Sequence, residues 1–449
     1  MHFSWIPRQH PHAATPPGRT SHRWRWVAAA IVAATLTAGL TAAAAPGAAR
    51  STAKAATSAT PGPVSCGPPG YFIQCYTPGQ YQMAYGVTPL LRRGITGSGE
   101  TVVMPELANN PGPNFTDIRK DLAAFDKRFG LPAAKLKVTT TLAGAGAPYV
   151  AGTEEVEDTE IVHTIAPGAA LDVVLVPADA ITSAANFTAA VTGLIHVAIT
   201  QHAAVVSISG SHGEHFFTAA EVARIHAALQ QAADRNVTVV ASSGDTGVIS
   251  DGGPPVQVSL PASDPLVLGA GGTALGASSA TGAYHGEMAW NADTSASAGG
   301  YSSLFRRSSY QDGVPRIGRM RGVPDVASDA DSSTAMTLMF TGGVPYPAQG
   351  TSAATPLWAA VIALADQDAG QHLGFVNPAI YAIARSPAYH RAFHDVITGD
   401  NSVLWPTHLF TGYQAGPGWD PVTGWGSPNA QTLVPLLAHD AGPGGAVHS

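Results

Sequence analysis

The sequence predicts an α/β protein in which a parallel sheet is covered by helices on both faces. Four short runs rich in β-branched residues are typical of buried strands: ETVVMPEL, ALDVVLVPA, AAVVSISGS and VTVVASSGD. Helical patterns lie between them, in NFTDIRKDLAAFDKRFG, SAANFTAAVTGLIHVAITQH and FTAAEVARIHAALQQAADRN. Strands that alternate with helices favour a parallel sheet. Such a sheet places its functional site at the carboxyl ends of the strands.

Composition provides for a large core and argues against a nucleic-acid-binding protein. The chain has 449 residues, of which 45% are hydrophobic and 12% are charged, whereas an average domain has about 25% charged residues. The formal net charge is −7, so no basic patch indicates a nucleic-acid partner. The low carboxylate count also limits how many native pairings acid can break, which is consistent with acid tolerance.

Residues 1–45 have the pattern of a secretory signal peptide. Arg19, Arg23 and Arg25 precede the apolar run VAAAIVAATLTAGLTAAAA, and small residues follow it. A single membrane anchor is the alternative, because the run is about long enough to span a bilayer. Its weakly apolar Ala, Gly and Thr content favours a cleaved signal. We therefore expect a secreted, extracellular monomer without membrane contact once the signal is removed.

The remaining chain divides into three parts. Residues 46–65 are rich in Ala, Ser, Thr and Pro and predict a disordered linker. Residues 66–438 contain no comparable break and predict one domain, and residues 439–449 predict a flexible tail. Cys66 and Cys75 are the two cysteines of the chain, and in an exported protein we expect them to form a disulfide.

Two stretches carry candidate catalytic residues. In QGTSAATP, Ser352 begins a long apolar helix, either as a simple N-cap or as a nucleophile at the positive helix end. In GTEEVEDTEIVHTIAPGA, Glu154 and Asp158 are four residues apart and share one helix face. Two carboxylates in a partly buried site push their pKa values apart, so that one can hold a proton. The alternatives are a carboxylate metal cluster and a solvated acidic helix, which would also include Glu155, Glu157 and Glu160.

Two glycine-containing loops carry further candidates. Asp245, in VVASSGDTGV, follows a strand and is either a turn residue or a group that points into the site. Asp395 in FHDVITGDN and Asp420 in GYQAGPGWDPVTGWGSP offer oxygen ligands, and the loop from Gly416 to Gly418 can turn its carbonyls inward. Oxygen ligands on a flexible loop suit Ca²⁺, although a Gly/Pro turn with incidental aspartates has the same pattern.

In this order, these segments resemble the sedolisins, the serine-carboxyl peptidases with a subtilisin-like fold. The resemblance extends from about Tyr76 to about Pro428. SGDTG is similar to the family's oxyanion-aspartate loop, QGTSAATP to its nucleophile motif, and YQAGPGWDPVTGWGSP to its calcium loop. Counted back from APGA, Glu154 and Asp158 stand where the family keeps its Glu and Asp. GGYSSLF and VPDVASDAD resemble two further family segments.

The resemblance implies a secreted peptidase that acts in acid on proteins or peptides through an acyl-enzyme. Ser352 would be the nucleophile, Glu154 its general base and Asp158 the group that orients Glu154 and shares its proton. Asp245 would donate to the oxyanion, and Glu106 would extend the carboxylate network. One structural Ca²⁺ would be bound by Asp395, the carbonyls of Val396, Gly416 and Gly418, and Asp420.

Those residue types suit catalysis at acidic pH. A carboxylate base still works where an imidazole is protonated, and an aspartate donates to an oxyanion as the neutral acid. The rival mechanism is that of ordinary subtilisins with a histidine base, for which His163 is available near the end of its helix. A second class of alternative is a catalytically weak exported relative that binds peptides, or a calcium-stabilised surface protein.

Three features depart from the family pattern. A short segment stands in place of the usual long N-terminal prosegment, so we expect folding without that segment or with help in trans. Gly210 stands where some relatives have a Trp that supports the carboxylates, so we expect a looser network with less shifted pKa values. Gln349 replaces a small residue before Gly350, and the sequence alone does not explain this change.

Overall fold

An eight-stranded, mostly parallel sheet forms the centre of the protein. The computed structural model describes residues 64–67, 73–108, 117–144, 152–250, 253–340 and 343–440, all within one compact unit. The helices are α1 (Pro78–Ala84), α2 (Thr88–Arg92), α3 (Ile118–Phe129), α4 (Thr153–Ile165), α5 (Ala184–Thr200), α6 (Ala219–Ala233), α7 (Thr351–Ala369), α8 (Asn377–Ala384), α9 (Tyr389–Ala392) and α10 (Ala430–Asp440). The strands are β1 (Val64–Cys66), β2 (Ile73–Cys75), β3 (Thr101–Leu107), β4 (Lys135–Thr139), β5 (Ala170–Val176), β6 (Val205–Ile208), β7 (His212–Gly213), β8 (Thr238–Ser242), β9 (Ser259–Leu260), β10 (Leu268–Ala277), β11 (Tyr284–Ala289), β12 (Gly300–Arg306), β13 (Met320–Val323), β14 (Val326–Asp329), β15 (Thr337–Phe340), β16 (Val344–Pro347), β17 (Phe393–His394), β18 (Val403–Trp405), β19 (His408–Phe410) and β20 (Ser427–Pro428).

The order of the strands confirms the predicted fold class. The sheet runs β11-β10-β8-β6-β3-β5-β4, and β14 also pairs with β10. The four strands predicted from the sequence are β3, β5, β6 and β8, which are consecutive neighbours and pair in parallel. β11 pairs antiparallel with β10. The carboxyl ends of the four predicted strands therefore lie along one edge.

Helices cover both faces of the sheet, as predicted. Successive residues of β3 point to opposite faces, and Val102 and Met104 join the hydrophobic cluster that contains α4 and α7. Val103, which lies between them, joins a second cluster that contains α5 and α6. A sheet buried on both faces reads in the sequence as a continuous apolar run, which is what VVM shows in β3.

The helix α7 is buried along most of its length. Every residue from Thr351 to Asp366 is buried, including Trp358. Such a helix is apolar on all sides, and it contacts β6, β8, β10 and α4. It begins directly after Gly350, and Gly370, which has a left-handed backbone conformation, caps its carboxyl end. The core thus holds the amino end of α7 at the carboxyl edge of the sheet.

The predicted chain ends lie mainly outside the described residues. The predicted signal peptide, residues 1–45, lies outside the described residues. So do most of the predicted linker and most of the predicted tail. Described structure begins with β1 at Val64, inside the predicted linker, and α10 runs to Asp440, inside the predicted tail. Among the described helices, none has both the length and the apolar character required to span a bilayer.

Candidate active site

The serine of the QGTS motif lies at the start of α7, facing the sheet edge. Gly350 precedes the helix with φ of 82°, and a Cβ at this position would lie 2.7 Å from Asp245 Oδ2. Only glycine fits there without strain. Ser352 Oγ donates a hydrogen bond to the carbonyl oxygen of Ser209 at 3.1 Å, and the residue is 9% exposed.

The later proline of the motif also affects the serine. Pro356 is the fourth residue after Ser352 and has no N–H to donate to the Ser352 carbonyl. That carbonyl instead accepts a hydrogen bond from Ser209 Oγ at 3.4 Å. Because Pro356 cannot donate to it, the Ser352 carbonyl remains available to Ser209 at the edge of the sheet.

Glu154 and Asp158 approach the same serines from α4, which packs along α7. Glu154 lies in the first turn of α4, and an interaction with the Ser352 side chain lowers its pKa. Asp158 is one turn later and fully buried, and its Oδ1 accepts a hydrogen bond from Ser209 Oγ at 2.7 Å. Ser209, which no sequence pattern marks, therefore contacts both the serine and the aspartate.

Burial raises the pKa of both carboxyls. It raises the pKa of Glu154 to about 8, with a smaller increase from the charge of Asp245, while the hydrogen bond from Ser352 acts in the opposite direction. Burial also raises the pKa of Asp158 well above its usual range, and the charge of Glu154 adds to this. The two groups titrate as a coupled pair. Whether these pKa values are less shifted than in relatives with a Trp at position 210 stays a prediction.

The acidic residues of α4 are buried, so the alternative of a solvated helix is wrong. Exposure is 3% or less for Glu155, Glu157, Asp158 and Glu160. Burial removes water from these side chains and places them near one another. Both effects favour the protonated form of a carboxyl over the ionised form. The described residues contain no group of three or more His, Cys, Asp or Glu side chains arranged to hold a metal ion, which leaves the carboxylate-metal alternative without support.

Two residues that connect to this acidic cluster come from other elements. Glu106, at the end of β3, is 3% exposed, and burial raises its pKa, followed by the charge of Glu155 and then that of Asp158. The Gln349 backbone N–H donates to Glu157 Oε1 at 3.1 Å. Gln349 therefore contacts the acidic cluster through its backbone N–H and not through its side chain.

Asp245 lies after β8 and is joined to the start of α7. Its Oδ1 accepts hydrogen bonds from Thr351 N at 2.8 Å and from Thr351 Oγ1 at 2.7 Å. Thr351 Oγ1 in turn accepts a hydrogen bond from Gly244 N at 3.1 Å. The loop after β8 and the nucleophile motif are therefore fixed to each other by the threonine of that motif.

The histidine proposed as a rival base lies in a different environment. His163 is fully buried, and its Nε2 lies 2.8 Å from the carbonyl oxygen of Pro132 and 3.1 Å from Asp126 Oδ1. Within the described residues, the side-chain contacts of Ser352 are with Ser209 and Glu154. The titratable group beside the serine is thus the Glu154 carboxyl.

The two carboxylates predicted to bind calcium, Asp395 and Asp420, both contact the glycine loop. Asp395 accepts hydrogen bonds from Gly418 N at 3.1 and 3.2 Å, and Asp420 Oδ2 accepts one from Gly416 N at 3.1 Å. No described residue donates to the carbonyl oxygens of Val396, Gly416 and Gly418. Two carboxylates and three unpaired carbonyls form the all-oxygen set that Ca²⁺ prefers, so the residues present fit this ion.

The two cysteines lie in the short hairpin formed by β1 and β2. Cys66 and Cys75 are joined by a disulfide in the structure, and both are fully buried. The hairpin packs on β16, and the Gly67 N–H donates to the carbonyl of Pro345. The bridge therefore fastens the start of the described chain next to the strand that leads into Gln349.

Comparisons with known proteins relate the chain to peptidases. The model of the subtilase family, Peptidase S8, matches residues 140–385, which include Glu154, Asp158, Asp245 and Ser352. Kumamolisin of Bacillus sp. (strain MN-32) is 33% identical over 382 residues, which are 82% of this chain and 64% of kumamolisin. Tripeptidyl-peptidase 1 of Homo sapiens is 30% identical over 258 residues, which are 52% of this chain and 43% of that protein. The chain therefore spans less than two thirds of the length of these relatives.

A solved structure extends the similarity to the fold. Pseudomonas sedolisin, a serine-carboxyl proteinase complexed with two molecules of pseudo-iodotyrostatin, superposes with a TM-score of 0.69 at 26% identity. The match covers 83% of this chain and 99% of that chain. The similarity in fold therefore extends over most of this chain.

Proposed function

The chain belongs to the subtilase family, among its sedolisin-like members, and from this membership we propose that it is a serine-carboxyl peptidase. The observation that carries the proposal is the position of Ser352 between Ser209 and Glu154, with Asp158 on the other side of Ser209. A serine becomes a nucleophile when a base stands within hydrogen-bond reach. Here that base is the Glu154 carboxylate.

The proposed reaction proceeds through an acyl-enzyme. Ser352 Oγ attacks the carbonyl carbon of the scissile peptide bond, and its proton passes to Glu154. Glu154 then gives a proton to the leaving amine nitrogen, which leaves an ester on Ser352. Water attacks this ester while Glu154 takes its proton, and the acid product and the free serine result. Asp158 shares the proton of Glu154, because burial makes a doubly ionised pair costly.

Asp245 is proposed to stabilise the oxyanion as a neutral acid. Its Oδ1 already accepts two hydrogen bonds from Thr351. In the neutral acid Oδ1 is therefore the carbonyl oxygen, and the proton belongs on Oδ2, from which it can be donated. An oxyanion donor of this kind lowers the barrier by about 3–4 kcal/mol. The need for a protonated aspartate favours activity in acid, whereas the raised pKa of Glu154 opposes it, because the base must first lose its proton.

The substrates, location and metal complete the proposal. We propose protein or peptide substrates, export through the signal-like residues 1–45, and one structural Ca²⁺ held by the loop that contains Asp395 and Asp420. The ion would stabilise this loop and take no part in bond cleavage. The monomeric state expected from the sequence is also part of the proposal.

Cleavage of an unfolded protein between pH 3 and pH 8 tests this function. We expect activity that is highest in acid and disappears in Ser352→Ala, while Ser386→Ala, in the loop after α8, retains it as a matched control. Activity that survives in Ser352→Ala would overturn the proposal. Peptide binding without cleavage at any pH would instead indicate the catalytically weak peptide-binding relative.

A further inference from the structure

Glu157 of α4 is a buried carboxyl that the reaction scheme above leaves unused. The residue is 3% exposed, and it stands directly before Asp158 and one helical turn after Glu154. Its Oε1 accepts a hydrogen bond from the Gln349 backbone N–H at 3.1 Å. Gln349 belongs to the segment that leads from β16 into α7. This bond therefore joins the helix that carries Glu154 and Asp158 to the segment that carries the nucleophile.

The backbone just before Ser352 is held at each of four consecutive residues. Their N–H groups donate to acceptors on different parts of the fold. These hydrogen bonds are Ala348 N to Met336 O at 3.0 Å, Gln349 N to Glu157 Oε1 at 3.1 Å, Gly350 N to Ala330 O at 2.8 Å and Thr351 N to Asp245 Oδ1 at 2.8 Å. Glu157 supplies the acceptor from α4 in this set. Without it the Gln349 N–H loses its partner, and the segment is no longer fixed to α4 at this point.

The surroundings of Glu157 favour its neutral form. Groups that can carry a negative charge face it from its own helix and from neighbouring elements, namely Glu154 and Asp158 on α4, Glu106 on β3, Asp245 after β8, Tyr81 on α1 and Tyr346 on β16. Within the described residues, no Lys or Arg forms an ion pair with Glu157. Burial, followed by the charge of Glu154, raises the pKa of Glu157 well above its usual range.

The hydrogen bond to Gln349 is compatible with a neutral Glu157. Because Oε1 is the acceptor, the proton of the neutral acid belongs on Oε2. An ionised Glu157 would also accept this bond, but its charge would make the loss of a proton from Glu154 more difficult. The neutral form thus leaves the negative charge to Glu154, the proposed base.

We propose that Glu157 is a positioning residue for Ser352. As a neutral acid on α4, it holds the segment before the nucleophile through the Gln349 backbone N–H and leaves the negative charge of the site to Glu154. The inference rests on the proposed peptidase function and assigns a role in it to a side chain outside the reaction scheme.

Replacement of Glu157 by leucine and by glutamine separates the hydrogen bond from the charge. The substrate is a quenched fluorescent peptide with the sequence of a site that the full chain cleaves in an unfolded protein. Glu157→Leu removes the acceptor, and we expect kcat to fall about 10- to 100-fold, because a small misplacement of the nucleophile has an effect of this size. KM should stay within about threefold. Glu157→Gln keeps an oxygen for the Gln349 N–H and cannot ionise, so it should retain kcat within about threefold.

Two results of these kinetics would overturn the proposal. The first is a kcat of Glu157→Leu equal to that of the unmodified chain, which would mean that the bond does not position the serine. The second is a kcat of Glu157→Gln as low as that of Glu157→Leu, which would mean that an ionised carboxylate is required.

Glu160 provides a matched control on the same helix. It is buried, and its Oε2 accepts a hydrogen bond from the Met339 N–H of β15 at 2.8 Å, so Glu160→Leu also deletes a backbone acceptor. After burial, the charges that raise its pKa are those of Asp121 and Asp126. Glu160→Leu should lower stability in denaturant unfolding and retain kcat. Equal losses of kcat in Glu157→Leu and Glu160→Leu would refute the positioning role, because they would show that the packing of α4 sets the rate.

Two measurements on Glu157→Gln test the neutral acid, and they remain if the leucine variant does not fold. The acid limb of the pH profile of kcat/KM should stay in place. If Glu157 were ionised there, its removal would lower the pKa of Glu154 and move the limb to lower pH by about one unit, which would overturn the proposal. Infrared difference spectra between the unmodified chain and Glu157→Gln are recorded at about pH 6, where an ordinary glutamate is ionised. They should show the loss of a protonated carboxyl band.

The infrared measurement separates a failure of this inference from a failure of the proposed function, because it needs no substrate. If the unmodified chain cleaves no peptide at any pH, the peptidase proposal fails. A protonated carboxyl band that is lost in Glu157→Gln still supports the neutral acid in that case. Loss of a carboxylate band in its place overturns the neutral acid, whether or not the chain is active.

Discussion

Ser209 joins the nucleophile to the carboxyl pair through two different atoms. Its hydroxyl donates to Asp158 at 2.7 Å, and its carbonyl accepts from Ser352. The hydrogen bond to Asp158 favours the ionised form and lowers a pKa that burial raises. Ser209 thus affects both where the serine points and how readily the pair gives up its proton.

Replacing Ser209 by alanine should slow catalysis and narrow the active pH range from the acid side. Loss of this bond to a charged acceptor should reduce kcat/KM by about 10- to 100-fold. The pKa of Asp158 rises further without the bond, so the pair needs a higher pH to lose a proton, and the acid limb of the profile should move to higher pH. Peptide hydrolysis at closely spaced pH values measures both effects.

Two further variants serve as controls for Ser209. Ser209→Thr keeps the hydroxyl and should retain the position of the acid limb. Ser207→Ala removes a buried hydroxyl of β6, the strand that Ser209 follows; this hydroxyl has no hydrogen bond in the described structure, and the pH profile should not move. A shift of equal size in Ser207→Ala would show that packing, and not the bond to Asp158, sets the profile.

The two ends of α7 provide a test at the scale of the element. Gly350 and Gly370 flank the helix, and both have positive φ, 82° and 66°. Alanine at Gly370 meets no atom within 4 Å, so it should cost about 1–2 kcal/mol from backbone strain alone. Alanine at Gly350 also meets the Asp245 carboxylate, and we expect a larger loss of about 2–4 kcal/mol together with loss of activity. Denaturant unfolding and peptide hydrolysis measure these effects, and equal losses at both glycines would contradict this account of Gly350.

The elements show what the sequence could predict and what it could not. β3, β5, β6 and β8 were predicted because a strand buried on both faces has a continuous β-branched run. β10 was missed because its sequence, LGAGGTALGA, has many glycines, which disfavour strands. These glycines are required by close contacts with residues that are distant in the sequence. A Cβ at Gly271 would lie 2.7 Å from Pro324, and a Cβ at Gly272 would lie 2.7 Å from Ala330.

The site follows the same division. Glu154, Asp158, Asp245 and Ser352 became candidates because each belongs to a local pattern of spacing or turn residues, and the family resemblance proposed their roles. Ser209 did not, since its partners are 51 and 143 residues away in the chain and a serine at a strand end is unremarkable. The burial of Glu157 and Glu160 was missed for a similar reason, because it depends on the residues that lead into α7 and on β15, whose Met339 N–H donates to Glu160 Oε2 at 2.8 Å.

Removal of calcium should loosen the loop between β19 and β20. If Ca²⁺ binds there, chelation by EGTA should lower the melting temperature by about 5 °C or more, because a ligand bound only to the native state stabilises it by mass action. Asp420→Asn should abolish the shift, and the exposed-site control Asp312→Asn should retain it. Differential scanning fluorimetry with and without EGTA provides the measurement. If EGTA leaves the melting temperature of the unmodified chain unchanged, the calcium assignment is contradicted.

Across the whole molecule, buried carboxyls favour the folded state in acid. Burial is the main cause of the raised pKa of Glu106, Glu154, Glu157, Asp158, Glu160, Glu287, Asp329 and Asp366. The folded chain therefore binds protons more tightly than the unfolded chain. The resulting stability is fully present below the unfolded pKa, near 4 for these side chains, and is lost as the pH rises toward the folded values, about 8 for Glu154 and Asp366.

The melting temperature should therefore fall as the pH is raised from 4 to 9, by about 5 °C or more. Glu160→Gln tests the cause, because Glu160 Oε2 accepts from Met339 N while Oε1 has no partner among the described residues. An amide can keep the accepted bond and cannot ionise, so this variant should be more stable than the unmodified chain at pH 9, with the advantage absent at pH 4. Glu221→Gln is the matched control: Glu221 is partly exposed and its pKa is lowered by hydrogen bonds from Thr218, so its amide should bring no gain at pH 9. A melting temperature that rises toward pH 9 would mean that interactions elsewhere in the molecule outweigh these buried acids.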